Sequence, residues 1–143
     1  LIFVTGIQRE SFDILSEQVS DTCSGNTATL ESLHETKRIG YEVRDALIEG
    51  DLDQFGRLLD QHWQNKKKRS TNMTNTNIDR WYQIGLNSGA IGGKILGAGG
   101  GGFLMFYSPV EHQLKLRQAM THEGLREMTF CIDYDGAKTL LNI

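Results

Sequence analysis

The residues best suited to chemistry in this chain form one glycine-rich run, residues 94–107. Five of the six residues 97–102 are glycine, and short apolar stretches lie on both sides. Glycine allows positive φ values and lets a ligand approach the backbone N–H groups. Consecutive N–H groups that point the same way bind anions such as phosphate. Lys94 adds the only charge between Gly85 and Pro109. The residues that we predict to contact a phosphate or nucleotide are Lys94, Gly97, Ala98, Gly99, Gly100, Gly101 and Gly102.

Three known phosphate-binding motifs resemble this run but differ from it in context. No Gly-Lys-Ser or Gly-Lys-Thr closes the loop, so it is not a Walker A loop. The spacing of Gly97, Gly99 and Gly102 matches G-x-G-x-x-G, but a strand pattern follows where a dinucleotide fold needs a helix. Strand, loop and strand is also the arrangement of the protein-kinase nucleotide loop, whose V-A-I-K, H-R-D and D-F-G motifs the chain lacks. The loop is therefore predicted to bind phosphate in another type of fold.

Two further groups of cations stand where an anion could bind. Arg9 lies in the first turn of a predicted helix, where the helix dipole disfavours a positive charge. It could serve an anion there, or it could be a surface arginine. Lys66 and Lys67 belong to the run KKKR at the end of another predicted helix. Cations are favoured at helix C-termini, so a solvated surface and contact with a substrate phosphate both fit these two lysines.

Composition limits the class of protein. With 143 residues, the chain is expected to form one domain. A net charge of −3 argues against nucleic-acid binding, and no apolar stretch is long enough to suggest a membrane span. Cys23 and Cys131 lie far apart without a C-x-x-C motif, so we expect no disulfide framework, no metal site and a reducing, cytoplasmic environment. The chain starts within an apolar run rather than at Met, and we expect it to be part of a longer protein.

The coarse order of elements is one strand, four helices, a strand–loop–strand unit, a helix and two strands. Apolar periodicity and capping residues predict these boundaries. They are strands at residues 1–5, 95–96, 103–107, 128–132 and 137–143, and helices at residues 8–19, 27–49, 51–69, 76–85 and 109–123. Strands that are separated from most of the helices indicate an α+β fold, a mainly antiparallel sheet covered by helices.

The sequence also resembles a known family. Residues 89–103 read GAIGGKILGAGGGGF, which is similar to the third motif of the GHMP kinases, and the resemblance covers essentially the whole chain. The branch that acts on D-glycero-D-manno-heptose 7-phosphate is the most similar. That similarity rests on residues 5–7 with Arg9, on residues 62–63 and 66–67 with Ser70, and on residues 87–90.

The resemblance implies the ferredoxin-like C-terminal domain of a two-domain enzyme that transfers the γ-phosphoryl group of ATP to a sugar or sugar phosphate. In such enzymes the ATP-phosphate loop, the Mg²⁺ ligands and the catalytic aspartate belong to the N-terminal domain. No catalytic residue is therefore expected in this chain, and its own N-terminal domain is an expected partner. The resemblance also favours Arg9, Lys66 and Lys67 as contacts to a sugar phosphate. His62 and Trp63 fit either the core or the sugar pocket.

Two alternatives are open at this point. The acceptor could be another sugar, since fucose kinases share part of the pattern and galactose kinases belong to the same family. The chain could also be a free-standing ligand-binding or regulatory module, because a fold does not by itself determine function. The sequence leaves the oligomeric state open.

Overall fold

The computed structural model describes residues 1–8 and 11–136, without the side chains of residues 11–14. The strands are β1 (Ile2–Val4), β2 (Gly92–Ile95), β3 (Phe103–Tyr107) and β4 (Arg126–Glu127). The helices are α1 (Ser11–Cys23), α2 (Thr27–Glu49), α3 (Leu52–Lys67), α4 (Thr76–Asn87) and α5 (Val110–His122), with a 3₁₀ turn at Thr71–Met73. Arg9 and the predicted strand at residues 137–143 lie outside the described residues.

The strands form one antiparallel sheet in the order β2-β3-β1-β4. Side chains alternate between the two faces of a strand, so the register puts four buried side chains on one face: Phe3, Ile95, Leu104 and Phe106. They form a single core with residues of α4 and α5 and with Trp63 of α3. The predicted α+β fold with a helix-covered antiparallel sheet is confirmed.

Helix α3 approaches β2 closely because two glycines face each other. A Cβ on Gly92 would lie 2.0 Å from the carbonyl oxygen of Gly56. The phenol of Tyr82 also links these elements, since its hydroxyl donates to Asp60 Oδ1 at 2.6 Å and lies 3.2 Å from Gly93 O. This contact sets the position of α3 relative to the loop that follows β2.

Helix α2 packs on α3 through an apolar cluster of Ile39 and Ala46 with Leu58, and through polar contacts of Ser32 with Asn65. The sequence pattern predicted a buried stripe through Leu30, Leu33, Gly40, Val43 and Leu47, and this prediction is wrong. Leu47 is 50% exposed, whereas the buried residues of α2 are Thr29, Ser32, Ile39 and Ala46. The helix is rotated by about one residue because hydrogen bonds hold Ser32 against Asn65 of α3.

Local capping explains most helix ends. Asp51 Oδ1 accepts the Gln54 N–H at 2.8 Å, and Gly50 ends α2 at φ 75°, both as the sequence indicated. The sequence pattern predicted Thr76 or Asn77 as the cap of α4 and Ser108 as the cap of α5, and both predictions are wrong. Asn75, not Thr76 or Asn77, caps α4, because its side chain accepts two backbone N–H groups.

The start of α5 and the end of the sheet also differ from the prediction. Ser108 donates its hydroxyl to Gly89 O at 3.1 Å, which leaves Pro109 at the cap position of α5. The predicted strand at residues 128–132 is instead a two-residue β4, followed by one further bond from Met128 N–H to Ile2 O. Phe130 and Ile132 are exposed, because β1 is short and offers β4 few backbone partners.

Candidate phosphate-binding site

The predicted phosphate loop connects β2 to β3, and its backbone requires glycine. Gly97, Gly99, Gly100 and Gly102 have φ values of 73°, 119°, 74° and 84°. These values lie in the left-handed region, where a side chain costs roughly 1–2 kcal/mol per residue. The glycines of this loop therefore have a conformational role, as well as leaving space for a ligand.

Two neighbouring segments hold the loop in place. The Gly100 N–H donates to Met73 O at 2.8 Å, and the Gly102 N–H donates to Ile7 O at 3.0 Å. Thr5 donates to Gly102 O from both its N–H and its hydroxyl, each at 2.9 Å. Contacts of this kind fix the loop before any ligand binds, which lowers the entropic cost of binding.

Three successive N–H groups at the start of the loop are available to a ligand. Within residues 1–8 and 11–136, no acceptor pairs with the N–H groups of Gly97, Ala98 and Gly99. Gly97 is exposed, and the other two residues are half-buried. A run of unpaired N–H groups beside left-handed glycines is the backbone arrangement that binds phosphate oxygens.

Lys66 of α3 orients the start of the loop through a hydrogen bond to Gly97 O. It lies in the last turn of α3, is only 7% exposed, and donates from Nζ to Gly97 O at 2.5 Å. Because the ammonium holds that carbonyl on the protein side, the carbonyl dipole does not face the anion. Burial, with smaller contributions from Lys94 and Arg69, lowers the pKa of Lys66 to about 8.

Lys67 does not join Lys66 at the loop. Its Nζ lies 3.8 Å from Asp79 Oδ1 and 5.8 Å from the ring centroid of Trp63. Adjacent residues of a helix point in directions about 100° apart, so the two lysines of the run serve different surfaces. Ser70 is also engaged internally, since its hydroxyl donates to Glu17 Oε2 at 2.7 Å.

Three more basic side chains gather near Lys66, namely His62, Arg69 and Lys94. None of the four pairs with a carboxylate of the residues that the structure describes. Arg69 donates to the hydroxyls of Ser32 and Thr36 instead. We refer to His62, Lys66, Arg69 and Lys94 as the basic cluster.

Burial and mutual repulsion perturb the charges of the basic cluster. Burial first, and then Lys94, Lys66 and Arg69, lower the pKa of His62 to about 4. Burial and Arg69 lower the pKa of Lys94. His62 Nδ1 is buried and lacks a hydrogen-bond partner in the described part of the chain. Such a set of groups favours an anion.

A cavity of about 230 Å³ opens beside the basic cluster, between α2, α3 and β2. Its polar lining comes from Thr36, His62 and Lys94, and its apolar lining from Ile39, Gly40, Val43, Leu58 and Leu59. The sequence analysis did not assign Arg69, and it left His62 open. The spacing of His62 and Lys66 was the available signal, because i and i+4 share one helix face, whereas Arg69 lies in the turn after α3.

Several other groups stay outside the site. Across the described residues, no group of three or more His, Cys, Asp and Glu side chains could hold a metal ion. Cys23 and Cys131 are both exposed thiols. No helix within the described ranges is long and apolar enough to cross a membrane.

Comparisons with known sequences agree with the likeness seen in the glycine loop. The model of the C-terminal domain of GHMP kinases matches residues 43–124. The D-glycero-alpha-D-manno-heptose 7-phosphate kinase of Campylobacter jejuni is 29% identical over 139 residues, which are 97% of this chain and 40% of that protein. The L-fucokinase/L-fucose-1-P guanylyltransferase of Bacteroides fragilis is 28% identical over 125 residues, 87% of this chain and 13% of that protein.

Two solved structures share the fold. Mevalonate kinase of L. major, determined in complex with R-mevalonate, superposes with a TM-score of 0.76 at 17% identity, over 85% of this chain and 37% of its own. The Lin0012 protein of Listeria innocua superposes with a TM-score of 0.80 at 18% identity, over 91% of this chain and 38% of its own. The chain thus spans two fifths or less of these relatives. Since the family model matches more than half of its residues, this chain belongs to the GHMP kinase family and contains the C-terminal domain of that family.

Proposed function

We propose that this chain is the C-terminal domain of an ATP-dependent kinase whose acceptor is a sugar or sugar phosphate, with a heptose 7-phosphate as the specific candidate. The observation that carries the proposal is the loop at residues 97–102, which presents unpaired N–H groups to an anion beside a buried, uncompensated set of cations. The similarity to heptose 7-phosphate kinase over 97% of the chain supports the candidate acceptor.

In this proposal the chain positions phosphate groups and stabilises their charge. The N–H groups of Gly97, Ala98 and Gly99 donate to phosphate oxygens, and Lys66 keeps the loop in the orientation that allows this. Lys94 precedes this loop on β2 and lines the neighbouring cavity. Phosphoryl transfer depends mainly on positioning and on charge stabilisation, so these contacts are the kind that the reaction needs.

The remaining parts of the reaction are assigned to an N-terminal domain that this chain does not contain. When bound, Mg-ATP supplies the transferable γ-phosphoryl group. Residues of the N-terminal domain would hold the Mg²⁺ and take the proton from the acceptor hydroxyl. The requirement for ATP places the enzyme in the cytoplasm. The family resemblance implies Arg9, Lys66 and Lys67 as acceptor contacts, and the geometry favours Lys66 over Lys67, whose amine lies near Asp79.

The experiment is a phosphotransfer assay on the protein that carries this domain together with its N-terminal domain. Heptose 7-phosphate, fucose, galactose and mevalonate are offered with Mg-ATP, and ADP release is followed. The proposal predicts a kcat/KM for heptose 7-phosphate at least about tenfold above that for each other acceptor, which corresponds to ~1.4 kcal/mol of selective binding. A higher kcat/KM for fucose or galactose would replace heptose 7-phosphate as the proposed acceptor. Absence of ADP release with all four acceptors would reject the kinase assignment.

A free-standing binding module is a second candidate, and one observation favours it. All the contacts that hold the loop come from this chain, namely from Thr5, Ile7, Lys66 and Met73. A complete loop could bind a phosphorylated ligand without a second domain. The titration of Mg-ATP described in the Discussion separates this candidate from half of a kinase.

A further inference from the structure

The basic cluster is costly to the folded domain as it stands. Lys66 is almost fully buried, and His62, Arg69 and Lys94 are half-buried around it. A buried charge without a charged partner is unfavourable, and the positive charges of Lys66, Arg69 and Lys94 repel one another. An arrangement of this kind becomes favourable only when an anion enters it.

The cluster is distinct from the N–H groups of the loop. Lys94 precedes the loop on β2, and it lines the cavity between α2 and α3 together with Thr36 and His62. Arg69 reaches the same cavity wall through Thr36, to whose hydroxyl it donates. The apolar walls exclude water and strengthen the field of the cations inside. The domain therefore offers two anion sites, the loop N–H groups and this cavity.

Two anion sites suit a reaction in which both substrates carry phosphate. We propose that Thr36, His62, Arg69 and Lys94, with Lys66 behind them, bind the phosphate group that the acceptor already carries, while the loop N–H groups face the phosphoryl group in transfer. The acceptor class is then a phosphorylated sugar and not a neutral one. This inference rests on the proposed function, since it assigns the acceptor site of the same kinase.

The site has a proton-linked signature that a merely structural cluster lacks. Every charged group that acts on His62 in the described residues is a cation: Lys66 from α3, Arg69 from the turn after α3, and Lys94 from β2. On the α2 side the cavity presents Thr36, Ile39, Gly40 and Val43, which carry no charge. A bound phosphate opposes this field, so phosphate binding should raise the pKa of His62 and favour proton uptake at acidic pH.

The first experiment titrates inorganic phosphate into this chain while NMR follows the ring signals of His62. We expect saturable binding and an upward shift of the His62 pKa by at least about one unit, as an anion within a few ångströms produces. An unshifted His62 at saturating phosphate would overturn the site. Chloride at equal ionic strength gives the non-specific anion response. An equal effect of chloride on the His62 signals would also overturn the site.

A pair of variants tests the residues without disturbing the fold. Lys94→Met keeps most of the apolar stem and removes the charge, and no hydrogen bond of Lys94 to another described residue is lost. We expect phosphate affinity to fall at least about tenfold, because a charge-assisted contact disappears. Lys68→Met removes an equal charge from an exposed position at the C-terminal end of α3, and should change affinity less than about twofold. Equal losses in both variants would overturn the proposal.

The same variants in the two-domain enzyme separate this inference from the proposed function. Lys94→Met should raise KM for heptose 7-phosphate about tenfold and leave KM for ATP within about twofold. A rise in KM for ATP alone would assign the cluster to the nucleotide and overturn the inference, although the enzyme would still be a kinase. An equal kcat/KM of the wild-type enzyme for a neutral sugar and for a sugar phosphate would also overturn the inference, although the enzyme would still be a kinase. Absence of phosphotransfer to any acceptor would instead reject the proposed function, whatever phosphate does to His62.

Discussion

At the scale of single residues, Lys66 and Lys67 show that adjacent residues of a helix can have different roles. The Lys66 amine is buried and holds Gly97 O, whereas the Lys67 amine lies near Asp79 and over the Trp63 ring. The sequence predicts the same role for both lysines because both are basic and they are adjacent. The helix directs them to different surfaces, and only Lys66 supports the phosphate loop.

Replacing Lys66 with Met should separate stability from activity. The change removes a buried, unpaired charge, so the free energy of unfolding should stay the same or rise. The loop loses the amine that orients Gly97, and we expect kcat/KM of the two-domain enzyme to fall about tenfold or more. Urea denaturation and the phosphotransfer assay measure the two effects.

Lys67→Met is the matched control for this experiment. Its partner Asp79 has a half-exposed side chain and Lys67 itself is only partly buried, and such a pair contributes about 0–1 kcal/mol. We expect little change in kcat/KM. An equal loss of activity in both variants would mean that the two lysines act together at the acceptor.

His62 makes the stability of the domain depend on pH. Its pKa is about 4 in the folded state and 6.5 ordinarily. Between these values the unfolded chain binds a proton that the folded chain does not, so the free energy of unfolding falls as pH drops from 6.5 to 4. Urea denaturation at several pH values should show this slope, and His62→Gln should reduce it. An unchanged slope in the variant would assign the dependence to other groups.

At the scale of elements, the β2–loop–β3 unit combines a conformational and a chemical requirement. The left-handed backbone at four loop positions needs glycine, and the same glycines leave the N–H groups accessible. The loop is held by β1 and its continuation on one side and by the 3₁₀ turn on the other. Its geometry therefore depends on segments that are distant in sequence.

Gly100→Val should abolish phosphotransfer and leave the domain folded. Gly100 has a φ of 74°, and a β-branched residue there is strained. The strain falls on the loop, because Gly100 lies outside the apolar core. Activity assays and circular dichroism on the same preparation make the comparison. Loss of the folded spectrum would show that the loop is needed for folding.

Gly25→Val is the control for the backbone effect of this change. Gly25 has nearly the same φ, 73°, and an added Cβ would meet no atom within 4 Å. It lies between α1 and α2, away from the loop. We expect a similar loss of stability, about 1–2 kcal/mol, with normal kcat. Reduced kcat in this variant would attribute the effect of Gly100→Val to strain in general.

At the scale of the whole molecule, the described residues contain the glycine loop and the basic cluster, and no group of three or more side chains that could hold a metal ion. It spans 40% of the heptose 7-phosphate kinase that it matches. Apolar side chains at Phe130, Ile132 and Tyr134 are 56%, 67% and 91% exposed. Under the proposed function, the described residues hold part of a nucleotide site and a second domain supplies the rest.

Calorimetric titration of Mg-ATP into this chain tests that view. We expect no heat of binding at millimolar nucleotide, because the loop N–H groups alone give a weak site for a magnesium-bound phosphate chain. The two-domain protein in the same titration is the positive control. Micromolar binding to the chain alone would mean that the loop is a complete nucleotide site, and would favour the free-standing module.

Local signals in the sequence were sufficient for the elements whose causes are local. Glycines at residues 97–102 require a left-handed loop wherever they occur, and Gly50 with Asp51 ends one helix and caps the next through bonds between near neighbours. The family motif at residues 89–103 likewise identified the family and the fold, as the family match confirms. These features were readable because few distant contacts influence them.

The sequence alone determined the glycine loop, the helix order and the α+β class, since these follow from periodicity and backbone preference. Tertiary packing decided the features that depend on contacts between distant segments. Only the fold could bring Lys94 to His62 and Arg69, turn Lys67 away from Lys66, rotate α2 onto Ser32, and shorten β4 to two residues. Each of these depends on which surface a distant element presents, and one residue of rotation or register changes that surface.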